Sequence, residues 1–369
     1  MGIGDNMKVV ISAGGTGGHI YPALAIINKF KEKEKDLEVL YIGTHNRMEK
    51  DIIPARGIKY EAIEIYGFSK KDILLDIKNI FLINKAYKRC LKIMKDFKPD
   101  LVMGIGGYVT FPVIKAAQKL GIKTFIHEQN SISGKTNKAL AKNTDLIGVS
   151  FKESIKDYKN TKGEVFYSGN PCGENALALE PIDKTKIGFK KDKKLVVVVA
   201  GSLGSSSINA KMKDFLNTVK KDSKYEVLYI TGKSLYEEFI KDEKFSDSVK
   251  ILPYLDNLPA LLKSADLIVT RAGASTMSEI LSLNLPAIFI PSPYVANNHQ
   301  YYNALEIKNN GGGELLEEKD LTHDALINKI NEVLNDEKKY QSMKDNLKKM
   351  SMNNSSDVIY KKLKDLIKW

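Results

Sequence analysis

The chain has 369 residues, a length that suits two α/β cores better than one. Lysine and arginine number 57 against 45 aspartate and glutamate, so the net charge is +12; this favours contact with phosphates, anionic lipid or nucleic acid and says nothing about fold. The two cysteines, Cys90 and Cys172, lie far apart and in no Cys-x-x-Cys pair, which argues against a disulfide framework or a zinc site and fits a reducing cytoplasm. Met1–Asn6 is polar and glycine-rich and carries no positive n-region followed by an apolar h-region, so no signal peptide is expected. No uncharged apolar run approaches the roughly 20 residues that span a bilayer.

In chain order, Lys8–Ala13 (KVVISA) reads as a buried strand running into Gly14–His19 (GGTGGH), and Pro22–Phe30 as a helix. Strands recur at Val39–Ile42, Leu101–Met103, Lys123–Ile126 and Asp145–Val149, with helical patterns at Lys71–Phe97 and Phe111–Leu120. The alternation predicts a parallel sheet with helices on both faces. The pattern restarts at Lys194–Ala200 (KLVVVVA), a continuous apolar run expected of a strand buried on both faces. It meets Gly201–Ser206 (GSLGSS) and a helix from Ile208, then strands at Glu226–Ile230, Lys250–Leu252, Leu267–Thr270 and Ala287–Ile290. The join lies near Pro171–Lys186. Ser355–Lys368 reads as an amphipathic helix that, taken alone, simply ends the second domain.

Three glycine-rich turns follow strands: Gly14–Gly18, Gly104–Gly107 and Gly201–Ser205. Such a turn lets backbone N–H groups approach an anion at a helix N-terminus. A tight turn that only packs helix on strand explains any one of them equally well. Two in the first half and one in the second predict two anion sites in two domains. None is a dinucleotide fingerprint, because Ile20 stands where the third glycine of GxGxxG would fall, which counts against a dehydrogenase. Gly134-Lys135-Thr136 and Gly232-Lys233-Ser234 mimic a P-loop, but Gln129 and Val227 stand where its first glycine belongs, so both read as turns and helix starts. The basic residues are scattered without interleaved aromatics, unlike a single-strand nucleic-acid binder, and no nucleic-acid partner is expected.

GGTGGHIYPALAI (Gly14–Ile26), GIGGYVTFP (Gly104–Pro112), HEQN (His127–Asn130), GNP (Gly169–Pro171), GSLGS (Gly201–Ser205), RAGASTMSE (Arg271–Glu279) and HQYYNA (His299–Ala304) occur in this order. The set resembles the peptidoglycan N-acetylglucosaminyltransferases over residues 8–310. The resemblance implies a GT-B fold, two Rossmann-like parallel-sheet domains facing a cleft. It implies transfer of N-acetylglucosamine from UDP-N-acetylglucosamine to undecaprenyl-diphospho-N-acetylmuramoyl-peptide (lipid I), inverting the anomeric centre in one displacement. Residues 7–171 would be the acceptor and membrane-facing domain, with helix 354–369 packed back on it, residues 172–181 a linker, and 182–350 the donor domain. The same motifs argue against the rival UDP-sugar epimerase and glycolipid synthase.

By this resemblance the donor is bound by Ser202, Leu255 (whose backbone reads uracil), Arg271 (neutralising phosphate), Ala274, Ser275 and Thr276 (helix-end amides), Glu279 (both ribose hydroxyls) and Gln300 (sugar hydroxyls). Asn130 would reach the donor sugar, and Thr16, Gly17 and Gly18 would also bind the donor. Acceptor binding falls to Gly14, Gly15, His19, Gly104, Gly106, Gly107 and Tyr108, with the loops Thr16–Gly18 and Gly104–Tyr108 suited to its diphosphate. His19 is the expected base or diphosphate ligand, and Glu128 and His127 are further candidates for positioning or proton transfer. Members of the family carry arginine two residues after GNP; here Gly173 stands there, so that donor contact is expected to be absent or supplied by another residue. No DxD motif occurs, so no metal or other cofactor is implied. Residues 70–89 place Ile73, Ile77, Ile80 and Phe81 on one helical face among Lys70, Lys71 and further basic residues. The residues alone favour docking of Ile77 and Ile80 on the sheet. The resemblance implies a peripheral contact of part of the segment with an anionic membrane, at its cytoplasmic face.

Overall fold

The computed structural model describes residues 6–68, 73–201 and 204–369, the side chains at 73 and 74 excepted. Two compact units result: residues 1–172 with 354–369, and residues 173–353. The first contains β1 (Met7–Ala13), α1 (Gly17–Lys33), β2 (Leu37–Thr44), α2 (Glu49–Ile52), β3 (Lys59–Ile63), α3 (Ile73–Phe97), β4 (Leu101–Gly106), α4 (Thr110–Leu120), β5 (Lys123–Glu128), α5 (Lys135–Ala141), β6 (Leu146–Val149) and β7 (Glu164–Tyr167). After α6 (Cys172–Ala178), the second contains β8 (Lys194–Val199), α7 (Ser206–Thr218), β9 (Tyr225–Ile230), α8 (Tyr236–Ile240), β10 (Val249–Leu252), α9 (Leu258–Leu262), β11 (Leu267–Thr270), α10 (Ala274–Leu283), β12 (Ala287–Phe289), α11 (His299–Asn309), β13 (Gly313–Leu315), α12 (His323–Leu334) and α13 (Glu337–Met350). The last helix, α14 (Ser355–Ile367), belongs to the first unit. Residues 172–181, read from sequence as a linker, therefore hold a helix.

Both sheets are parallel, with strand order β3-β2-β1-β4-β5-β6-β7 in the first unit and β10-β9-β8-β11-β12-β13 in the second. These are doubly wound Rossmann-like sheets, buried on both faces, which explains the unbroken apolar runs of β1 and β8. In each sheet the winding reverses beside the first strand, and ligands bind outside the carboxyl ends of strands at such a reversal. The turns after β1 and β4 lie there in the first unit, and those after β8 and β11 in the second.

Helix α1 begins five residues before the expected Pro22. Gly17 and Gly18 are helical and Pro22 lies inside, where it removes one bond that Gly18 would otherwise receive. The two P-loop mimics are turns, as expected: Gly134 precedes α5 and Gly232 precedes a short 3-10 turn leading to α8. Helix α14 inserts Ile359 and Leu363 into the core of the first unit and sets Tyr360 edge-on to Phe30, ring centres 5.1 Å apart. Lys364 and Tyr360 both reach Glu34.

Candidate functional site

In the first unit the turn after β1 is held from two sides. Gly14 N–H donates to the Gly106 carbonyl at 3.2 Å, and Gly15 N–H donates to Glu49 Oε2 at 3.3 Å. Neither amide is thus left for an anion, which corrects the expectation for these two glycines. The amides that open α1, behind Thr16, remain suited to one; Thr16 caps the helix with no side-chain bond. His19 Nδ1 lies 3.0 Å from the Gly14 carbonyl. A carbonyl only accepts, so Nδ1 carries the proton and Nε2 is the basic nitrogen.

Gly106 and Gly107 adopt φ of +123° and +88°. A side chain on Gly106 would stand 2.5 Å from His19 Cδ2 and 3.1 Å from Gln129 Oε1; one on Gly107 would overlap the Gly14 carbonyl. These two glycines therefore allow the turns after β1, β4 and β5 to converge on the His19 ring. Gly104 does not take part. It is buried in β4, and a Cβ there would stand 2.9 Å from Ile114 of α4, so its glycine serves packing. Tyr108 also departs from expectation: its ring lies against Gly67, and its hydroxyl is buried without a hydrogen-bond partner among the described residues.

Glu128 is buried and accepts from Asn130 N–H (3.0 Å), Asn130 Nδ2 (3.3 Å), Gly134 N–H (2.9 Å) and Asn137 Nδ2 (2.9 Å). A carboxylate so committed holds Asn130 and the start of α5 in place. His127 is fully buried, donates from Nε2 to the Gly169 carbonyl at 3.0 Å and accepts at Nδ1 from Gln129 at 2.9 Å. Burial pushes its pKa down to about 4, so it is neutral and structural.

In the second unit, Arg271 at the end of β11 is buried. Its guanidinium pairs with Glu318 at 2.6 Å and donates to the Ile290 carbonyl and Ser205 Oγ, each at 3.1 Å. The side chain expected to neutralise phosphate is engaged within the protein and ties three segments together. Ser205 also caps α7. Ser202, expected at the diphosphate, lies outside the described residues.

Helix α10 presents the opposite case. Ser275 Oγ is buried with no hydrogen-bond partner among the described residues. Glu279, one turn further along, is desolvated enough to lift its pKa to about 7. Gly273 precedes the helix with an ordinary φ of −71°, and no atom lies within 4 Å of where its Cβ would be. Neither backbone strain nor packing requires glycine there. Gly201, after β8, has a φ of +99°, which favours glycine, and no described atom lies within 4 Å of where its Cβ would be.

Gly173 is the reverse: a Cβ would overlap Ser282 Oγ and stand 2.7 Å from the Ser278 carbonyl of α10. No arginine fits this backbone. Beside Leu255, which follows β10, Lys233 Nζ sits 4.5 Å above the Tyr254 ring. Gln300 opens α11 and accepts from Ser292 N–H at 2.9 Å through its carbonyl oxygen, which fixes where its amide nitrogen points. Before it, Asn297 and Asn298 both adopt left-handed φ.

On α3, Leu82, Ala86, Cys90 and Met94 face the core. Ile77 (51 % exposed), Ile80 (59 %) and Phe81 (73 %) face outward, which overturns the docking expected of the two isoleucines. Ile80 and Ile83 line a groove of 530 Å³ with Phe111, Pro112, Lys115 and Lys119 of α4. Lys70, Lys71 and the side chain of Ile73 lie outside the described residues. No helix among the described residues is long and apolar enough to cross a membrane.

Sequence reasoning missed Glu49, Gln129, Asn137, Asn303 and Glu318. Asn303 Nδ2 donates to the Ala272 carbonyl at 3.1 Å and so fixes the turn before α10. Gln129 and Asn303 lie inside the motifs HEQN and HQYYNA, which were the available signal; Glu49 and Glu318 reach their partners only through the fold.

The N-terminal domain of glycosyltransferase family 28 matches residues 9–149, and its C-terminal domain residues 195–359. A UDP-N-acetylglucosamine--N-acetylmuramyl-(pentapeptide) pyrophosphoryl-undecaprenol N-acetylglucosamine transferase of Caldanaerobacter subterraneus subsp. tengcongensis is 40% identical over 366 residues, 98% of this chain and 100% of the relative. The crystal structure of Acinetobacter baumannii MurG superposes with a TM-score of 0.79 at 24% identity, covering 97% of this chain and 99% of that one. The UDP-GlcNAc 2-epimerase of Neisseria meningitidis shares the fold at a TM-score of 0.66 and 15% identity, over 97% and 99% of the two chains. The fold alone thus hosts more than one chemistry, but identity over the full length does not stop at the fold: this chain belongs to glycosyltransferase family 28, as a GT-B N-acetylglucosamine transferase.

Proposed function

We propose that this enzyme transfers N-acetylglucosamine from UDP-N-acetylglucosamine to the muramoyl-peptide carried on undecaprenyl diphosphate, the acceptor lipid of peptidoglycan synthesis. The observation that carries the donor assignment is the N-terminus of α10, where an unneeded glycine stands with a Ser275 hydroxyl and a Glu279 carboxylate that have no hydrogen-bond partner among the described residues. The amides of Ala274, Ser275 and Thr276 take the charge of the leaving diphosphate, as preorganised dipoles do in the transition state. Glu279 accepts from both ribose hydroxyls, the Leu255 backbone reads the base, and the Gln300 amide nitrogen meets the sugar. Lys233, held over Tyr254, is a cation beside Leu255.

The first unit takes the acceptor. The amides opening α1 and the turn Gly106–Gly107 hold its diphosphate, and His19 Nε2 withdraws the proton from the attacking sugar hydroxyl. Glu128 acts by placing Asn130 rather than by exchanging protons. Ile77, Ile80, Phe81 and the lysine-rimmed groove beside them rest on an anionic membrane, on the cytoplasmic face, where the lipid acceptor is reached. Incubating the purified chain with labelled UDP-N-acetylglucosamine and the lipid acceptor tests this. Labelled lipid should form with the intact chain and fall away with Glu279→Ala; conversion of the free donor to its 2-epimer, without transfer, would refute it.

A further inference from the structure

Glu49 is fully buried, with no ion pair to a basic side chain among the described residues. Burying a carboxylate costs free energy unless donors surround it. Three do: Oε1 accepts from Thr44 N–H at 3.1 Å and Thr44 Oγ1 at 2.7 Å, and Oε2 from Gly15 N–H at 3.3 Å. Two glycines, Gly14 in the turn after β1 and Gly43 in β2, make the space. A Cβ on Gly14 would overlap Glu49 Oε1, and one on Gly43 would stand 2.8 Å from its Cγ. Tyr41 and Tyr60 wall the site, their hydroxyls turned to the Ala13 and Thr44 carbonyls. The chain thus builds a dedicated seat for one carboxylate directly behind Gly14-Gly15, whose carbonyl receives His19 Nδ1.

We propose that Glu49 is a positioning residue for the transfer reaction. It locks the Gly14–Gly15 peptide, and that peptide sets the orientation and tautomer of His19, with the proton on Nδ1 and the basic lone pair on Nε2. The proposal rests on the assignment of proton withdrawal to His19. No spacing in the sequence links positions 14 and 49; the pairing of β2 beside β1 brings them together.

Glu49→Gln keeps the shape and spoils the site. A glutamine has one acceptor oxygen, so its NH2 must face either the Thr44 donors or the Gly15 N–H. The expected result is a fall in kcat of about tenfold or more, with the KM for UDP-N-acetylglucosamine unchanged and a thermal transition that is lowered but still cooperative. In a His19→Ala background the same substitution should have no further effect, because what it positions is already gone. Equal losses in both backgrounds, or full activity of Glu49→Gln beside an inactive His19→Ala, would overturn the proposal. Full activity of His19→Ala would instead overturn the assignment of His19. If Glu49→Gln loses its thermal transition, Thr44→Val, which removes only the hydroxyl bond, carries the same two-background comparison.

Discussion

The two sheets present the same reversal of winding and the same kind of glycine turn, yet they treat polar groups oppositely. In the first unit the groups around His19 are engaged by the protein, namely Gly14 and Gly15 N–H, His19 Nδ1 and all of Glu128's acceptor capacity, with the Ser12 and Tyr108 hydroxyls as exceptions. In the second, Ser275 Oγ and the Glu279 carboxylate have no hydrogen-bond partner among the described residues. A buried polar group without a partner costs about 1–3 kcal/mol. Such groups persist where a ligand supplies the missing bonds. Under the proposed function, the first is a turn that holds His19 and the second a helix end whose missing bonds the nucleotide supplies.

The largest effect should come from breaking the exception in the second unit, the engaged Arg271. Glu318→Ala leaves a buried guanidinium unpaired and should cost about 3–5 kcal/mol of stability, read as a lower midpoint in thermal or urea denaturation. An unchanged midpoint would return Arg271 to the list of groups available to phosphate. Next, Glu279→Ala should lower kcat/KM for the donor about a hundredfold, the loss of two hydrogen bonds to a charged acceptor, while leaving a His19 defect unaltered in kind.

The raised pKa of Glu279 has a sign that can be tested. Its folded value of about 7 exceeds the ordinary 4.5, so the folded protein binds this proton more tightly than the unfolded chain. Stability from this group is present below about pH 4.5 and is lost as pH rises through 7. Glu279→Gln should therefore gain stability over the parent at pH 8 but not at pH 4. Donor binding, which needs the ionised form, should strengthen in the parent from pH 6 to 8 and stay flat in the variant.

Gly273→Ala sharpens the contrast further. Reduced freedom of the unfolded chain contributes about 0.4–1 kcal/mol of stability, offset by alanine's poorer capping, so the thermal midpoint should barely move. The donor KM should rise about tenfold if diphosphate approaches that backbone. The smallest effect is on the membrane face, where Phe81→Asp and Ile77→Asp should each weaken binding to anionic vesicles roughly tenfold and leave donor binding alone.

Much of this was legible in the residues. Central strands announce themselves as apolar runs because both faces are buried, as in Lys194–Val199. Strands β3, β7 and β13 escaped notice; they close sheet edges, are short and expose part of their side chains, features shared by β10, which was read. Of the site, the glycine turns and the RAGASTMSE helix were readable because their requirement is local. The roles of Gly104, Arg271 and Glu49 were not. Each depends on what the sheet order places opposite: Ile114 on α4, Glu318 after β13, and the turn after β1.

Hydrogen–deuterium exchange with and without UDP tests the comparison most directly. UDP should slow exchange strongly in residues 271–279 and leave residues 14–19 as they were. Protection at 14–19 with none at 271–279 would contradict the account.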